Sequence, residues 1–268
     1  MPNVSEKVRS RIWSLETQIG KGIQDGTHDP EVFAGILQDF LEHKGEVKLK
    51  PVPLSRVFHI LGLGRVITYD QVALHWGPGL NRLTDPKDVL IRYSEETLHQ
   101  CSNENIDRKS DWRLIYYSGF SLRQLHEKRG IDWKNNQPCF HKDKNDWLQS
   151  EEDILVNQTF PAGYYLLNFN GQFGKISWGD QEVEIANLGK EFKRCPEAIF
   201  TEAVFTIYMV NNGERIAEDW WLWGTAKRNN GRHVLVGDFR EVGFYISDSR
   251  DYESNPYYRV VVLRDFDC

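Results

Sequence analysis

The closing stretch from Trp220 to Cys268 constrains this chain more than any other segment, because two compositions are interleaved in it. Apolar and glycine positions (Val234, Val236, Gly237, Phe239, Gly243, Ile246, Val260, Val262, Leu263 and Phe266) alternate with Tyr, Ser, Asp, Asn and Arg. A period of two is the signature of strands with one buried and one solvated face, so Val234 and Val236 are expected to point inward. Gly237 and Gly243 are expected at bends or close approaches. Nine of the twelve residues from Ser247 to Tyr258 are Ser, Asp, Tyr or Asn. Contact loops use that mixture, since rigid rings and small polar groups adapt to a partner at low entropic cost. Recognition fits the pattern better than catalysis, although a solvated loop between two strands has the same composition.

The whole chain has 268 residues, enough for one large domain or two small ones with a sizeable core. Its net charge is −6 with both signs mixed along the sequence, so no basic stripe marks it for nucleic acid. Nine Trp and eleven Tyr exceed what a routine core needs and suit amphipathic rings at a carbohydrate or protein contact. Cys101, Cys139, Cys195 and Cys268 form no CxxC pair, which argues against a zinc ribbon or a thioredoxin-type centre and for free thiols in a reducing compartment. The start, MPNVSEKVRSRIWSLE, lacks an apolar signal core, and no window approaches the roughly 18 apolar residues of a membrane span. The expectation is a soluble protein, cytoplasmic at synthesis, whose final site is open.

Val8, Ile12, Leu15, Ile19 and Ile23 recur at helical spacing, with Ser5 suited to cap them. A second helix is expected after Asp29-Pro30, with Val32, Phe33, Ile36, Leu37, Phe40 and Leu41 on one face and a stop at Gly45. This pair suggests a helical hairpin or an arm for a homo-oligomer. Leu54 to Trp76 suits helix or strand. A polar run from Asn103 to Ser110 marks a boundary, so residues 1–110 are expected as a helical N-terminal region and 111–268 as a second domain. In the latter, WRLIYY (Trp112 to Tyr117) and Tyr164 to Phe169 read as strands, and Ser121 to Arg129 as a helix. Asp180 to Arg194 reads as a helix capped by Asp180, with Val183, Ile185, Leu188 and Phe192 on its apolar face and Pro196 as its stop. Periodicity leaves Glu197 to Val210 open between a buried helix and a long strand.

Signals for chemistry are sparse. Gly62-Leu-Gly64 lacks the third glycine and acidic partner of a dinucleotide loop. Cys139 and His141, with Asp143 and Asp146 nearby, sketch a metal site without a second ligand pair. His59 and His75 sit among apolar residues and read as core histidines. Glu151-Glu152 and Glu218-Asp219 read as solvated acids, and no nucleophile elbow, HExxH helix, P-loop or kinase pattern occurs.

From WRLIYY onward the order is a strand, the helix at Asp180 to Arg194, EAIFTEAVF, then EDWWLWG, HVLVGDF, GFYIS and YYRVVVLRDFD. That order over Asp111 to Cys268 resembles the C-type lectin fold, in the branch shared by formylglycine-generating-enzyme-like domains and the variable proteins of diversity-generating retroelements. The resemblance implies an α+β, C-type-lectin-like domain behind a helical N-terminal region. It also implies chain ends that meet, and closing strands that hold ligand-facing loops. In the variable proteins, adenine-rich codons diversify solvent-facing positions. Those that fit here are Leu235, Asp238, Arg240, Val242, Tyr245, Ser247, Asp248, Ser249, Asp251, Tyr252, Ser254, Asn255, Tyr257 and Tyr258. Leu235 and Val242 are apolar for exposed sites. The cysteine pair of the oxidising relatives is missing from the closing strands, and so is the Glu-Pro-Asn loop of calcium-dependent lectins. The expected function is therefore recognition of a macromolecular ligand, protein or glycan, without cofactor, metal or catalysis. The alternatives are a metal-dependent enzyme with a pocket of His59, His75, Cys139 and His141, or an assembly protein acting through its N-terminal helices.

Overall fold

The computed structural model describes residues 51–77, 90–132, 138–142, 157–228 and 230–266. The helices expected before residue 50, the carboxylates Asp143, Asp146, Glu151 and Glu152, and Cys268 lie outside them. The described residues belong to one compact unit, Pro51–Cys268, so the division expected at residue 110 falls inside it.

The stretch that suited helix or strand is both. Helices α1 (Leu54–Leu61) and α2 (Tyr69–Trp76) flank the short strand β1 (Val66–Ile67). Thr68 starts α2 with a capping box: its hydroxyl accepts the Gln71 amide at 3.3 Å and the Gln71 side chain accepts the Thr68 amide at 2.9 Å. Helix α3 (Glu95–Ile106) begins at Ser94, and Asn105 at its far end brackets Trp112 by accepting its amide at 2.6 Å and donating to its carbonyl at 2.9 Å. Strand β2 (Trp112–Tyr117), helix α4 (Leu122–Arg129) and strand β3 (Gly163–Gln172) follow where the patterns put them.

Helix α5 is Trp178–Leu188 rather than 180–194, and its cap is Ser177, whose hydroxyl accepts the Asp180 amide at 3.1 Å. Val183 and Leu188, expected on its apolar face, are exposed. Phe192–Arg194 is strand β4, because these residues pair with a strand distant in sequence. The ambiguous segment is helix α6 (Glu197–Val210), buried from Glu197 through Ile207. Being buried all round, it shows no amphipathic period, but its length is beyond the usual four to eight residues or so of a strand.

Strands β5 (Trp221–Lys227), β6 (His233–Arg240), β7 (Gly243–Ser249) and β8 (Tyr258–Arg264) complete an α+β architecture with six helices and a mixed eight-stranded sheet among the described residues. The order is β1-β2-β3-β8-β5-β6-β7, with β4 also on β8. Strands β5, β6 and β7 form an antiparallel meander, whereas β8 lies parallel to β5 with Trp221 opposite Tyr258. Rings of α6 pack on one face of the meander: Phe205 lies 5.2 Å from Phe244 and 5.6 Å from Phe239.

This topology fixes the path after β7. Ser249 sits beside His233 and Lys227, at one end of the meander, while Tyr258 sits beside Trp221 at the other. The chain must return about 20 Å along the strands and about 14 Å across them, roughly 25 Å in all. Nine peptide steps reach at most about 31 Å. Residues 250–257 therefore cross the sheet over the face opposite α6, with a turn near each end, closed by the Glu253 amide on the Arg250 carbonyl at 3.1 Å and the Tyr258 amide on the Asn255 carbonyl at 3.0 Å.

Candidate ligand-binding surface

The crossing segment is tied down along its length. The Trp178 amide donates to the Asp251 carbonyl at 3.0 Å, and the Lys175 amide to the Asn255 carbonyl at 3.2 Å. Ser249 donates its hydroxyl to Glu253 at 2.6 Å. The Asp251 carboxylate accepts Lys227 Nζ at 2.8 Å and faces His233 Nε2 at 3.4 Å. Lys227 holds that carboxyl below its usual range, and burial lowers the His233 imidazole. Asn255 closes the far end, its side chain accepting the Tyr257 amide at 3.0 Å and its carbonyl the Tyr258 amide at 3.0 Å.

Trp178 is itself held on three sides. Its indole N–H donates to the Gly224 carbonyl at 2.9 Å, its ring stacks on His233 at 4.2 Å, and the Arg194 guanidinium covers its other side at 4.6 Å. Arg194 is buried in β4, where it donates to Gln181 at 2.8 Å, to the Trp223 carbonyl at 2.7 Å and to Glu182 at 2.6 Å. Helix α5, the meander and the crossing segment thus meet at one Arg–Trp–His stack.

The fourteen expected positions separate under this arrangement. Arg240, Val242, Tyr252, Ser254 and Tyr257 are exposed, with Tyr252 at 69 % and Tyr257 at 56 %. Asp238, Tyr245, Ser247, Asp248, Asp251, Asn255 and Tyr258 are half-buried. Leu235 and Ser249, expected to face solvent, are each only 2 % exposed. Val234 and Val236 point to α6 as alternation requires, but the crossing segment and Trp178 cover the opposite face, so β6 is buried on both sides. Tyr258 turns its ring to buried Trp223 at 5.3 Å, and Asp238 accepts Arg240 Nε at 2.7 Å beside a break in the β6–β7 register.

Register also assembles aromatic side chains that no local pattern revealed. Tyr258, Trp221, Gly237 and Tyr245 form one row across β8, β5, β6 and β7. Because Gly237 has no side chain, Trp221 and Tyr245 meet above it edge to face at 6.0 Å, and Tyr245 stacks on His141 at 4.0 Å. A Cβ on Gly237 would lie 2.4 Å from the Trp220 carbonyl oxygen, and one on Gly243 2.8 Å from the His141 amide nitrogen. Both glycines are therefore at the close approaches expected of them.

The pocket of the alternative reading is not assembled. His59, expected in the core, is exposed on α1, and His75 is half-buried on α2. Cys139 is buried, with its thiol pushed up to about 11 by loss of water, which disfavours the thiolate that ligates or attacks. Among the described residues no group of three His, Cys, Asp or Glu side chains is placed to hold a metal ion, and no helix is long and apolar enough to cross a membrane. Glu218 and Asp219 are exposed. Trp178, Arg194 and His233 were missed because their roles depend on contacts between distant segments. No protein-family model, curated protein sequence or solved structure matches this chain.

Proposed function

We propose that this chain binds a macromolecular ligand, a protein above all, through the crossing segment 250–257 and the adjoining ends of β5, β6 and β7. One observation carries the reading: a segment anchored at both ends holds two large rings, Tyr252 and Tyr257, out in water. Such rings contribute nothing to the core, yet in a fixed frame they supply the low-entropy anchors of a protein interface. The C-type-lectin-like and retroelement variable-protein readings belong to the same proposal. Strand β2, the first after residue 111, lies one strand away from β8, with Leu114 opposite Leu166 and Leu166 opposite Arg264, and the crossing segment hangs from the closing strands. On this reading diversity falls on exposed and half-buried positions and spares Leu235 and Ser249.

The test is selection of a random peptide display library, unbiased in charge, on the purified full-length protein. Enriched peptides should lose binding to the Tyr252→Ala/Tyr257→Ala protein, which keeps its cooperative melt. Tyr258 stays intact, because its ring packs on Trp223. Enriched peptides that bind the double variant as well as the parent would overturn the proposal, and so would failure to enrich any.

A further inference from the structure

The face just described ends in an open hollow of about 490 Å³ lined by Asn230, Gly231, Arg232, Arg250, Asp251 and Tyr252. We infer that this hollow receives the carboxylate of an acidic side chain on a protein ligand. The inference rests on the binding-surface reading and specifies the chemistry of that same surface.

Two guanidinium groups flank the hollow with donors to spare. Arg232 uses Nη1 on Asp248 at 3.0 Å, which leaves Nε and Nη2 without an acceptor among the described residues. Arg250 reaches only the Tyr252 hydroxyl, with its guanidinium 5.9 Å from the centre of that ring, and pairs with no carboxylate among the described residues. Asp251 reaches neither of them: its Oδ2 accepts Lys227 Nζ at 2.8 Å and its Oδ1 faces His233 Nε2 at 3.4 Å. Arg228 pairs with Asp248 from the other side. Four cations, Lys227, Arg228, Arg232 and Arg250, thus meet Asp248, Asp251 and Glu253 on a chain of net charge −6.

This geometry selects among anions. A carboxylate offers two coplanar oxygens that match one guanidinium fork, and the second arginine lining the hollow supplies further donors. The flanking carboxylates confine the positive area to one small spot, so an extended polyanion such as nucleic acid would meet repulsion on either side. Tyr252 beside the arginines adds the aromatic contact that an acidic residue in a peptide can use through its neighbours.

The experiment measures fluorescence anisotropy of a labelled twelve-residue peptide of alternating Glu and Tyr, its Gln-for-Glu counterpart, a sialylated oligosaccharide and inorganic phosphate as competitors. The Glu peptide should bind, weaken as salt is raised, and lose about tenfold or more in affinity with Arg250→Gln and with Arg232→Gln. Arg56→Gln on α1 should leave it unchanged. Equal binding of the Gln peptide, no binding of the Glu peptide, retained affinity in both arginine variants, or full displacement by phosphate or the sialylated sugar at equal concentration would each overturn the inference. The unbiased peptide selection separates this failure from failure of the broader reading: enriched peptides without acidic residues that still need Tyr252 and Tyr257 leave the surface in place and remove only the carboxylate.

Discussion

Glu202 on α6 should make stability fall as pH rises, and Glu202→Gln should remove much of that slope. The residue is 1 % exposed. Oε1 accepts the Ser118 amide at 2.8 Å, while Oε2 meets no donor among the described residues. Loss of water is the largest influence on the carboxyl and pushes it up to about 8, with Arg129 and Lys128 too weakly coupled to reverse it. The sign follows from linkage. Between the ordinary carboxylate range and about 8 the folded protein keeps a proton that the unfolded chain has released, so folding weakens as pH rises. Each pH unit in that window costs roughly 1 kcal/mol, or about 3 kcal/mol from pH 5 to pH 8. Glutamine keeps the acceptor for Ser118 and cannot ionise. Urea denaturation of both proteins at several pH values, at constant m, should show the variant gaining on the parent by about 1 kcal/mol per unit. Glu197, also raised by burial, contributes equally to both and cancels in the difference. A difference that stays flat from pH 5 to pH 8 would refute the reasoning.

Three further outcomes follow from the packing. Arg194→Met removes the donors that bind Gln181, Glu182 and the Trp223 carbonyl and should lower stability by about 3 kcal/mol, read as a lower urea midpoint. Leu235→Asn places an amide on the covered face of β6 and should cost about 3 kcal/mol, whereas Val242→Asn, at a site 55 % exposed, should shift the midpoint by less than about 0.5 kcal/mol. Gly237→Ala drives a methyl against the Trp220 carbonyl and should cost about 2 kcal/mol or more by the same assay.

Much of the closing sheet was legible because alternation is local. Val234, Val236, Val260 and Val262 carry a period of two, and β2, α4 and β3 have clear apolar patterns or caps. What failed depended on strand order. Nothing within HVLVGDF says that β8 inserts between β3 and β5 instead of following β7, and only that insertion sends the chain back across Leu235. Phe192–Arg194 continued a helical spacing, yet pairing with β8 made it a strand and turned Arg194 into the anchor of Trp178. The uncommitted nitrogens of Arg232 and Arg250 were equally invisible, since charge counts do not reveal which carboxylates are already occupied.

Hydrogen exchange of the native protein tests the anchored crossing segment most directly. Slow exchange is expected at the amides of Lys175, Trp178, Glu253, Tyr257 and Tyr258, each of which donates a hydrogen bond that holds the segment or its ends. Exchange at all five as fast as in an unstructured peptide would contradict it, because a segment free of the sheet could neither bury Leu235 nor hold Tyr252 and Tyr257 toward a ligand.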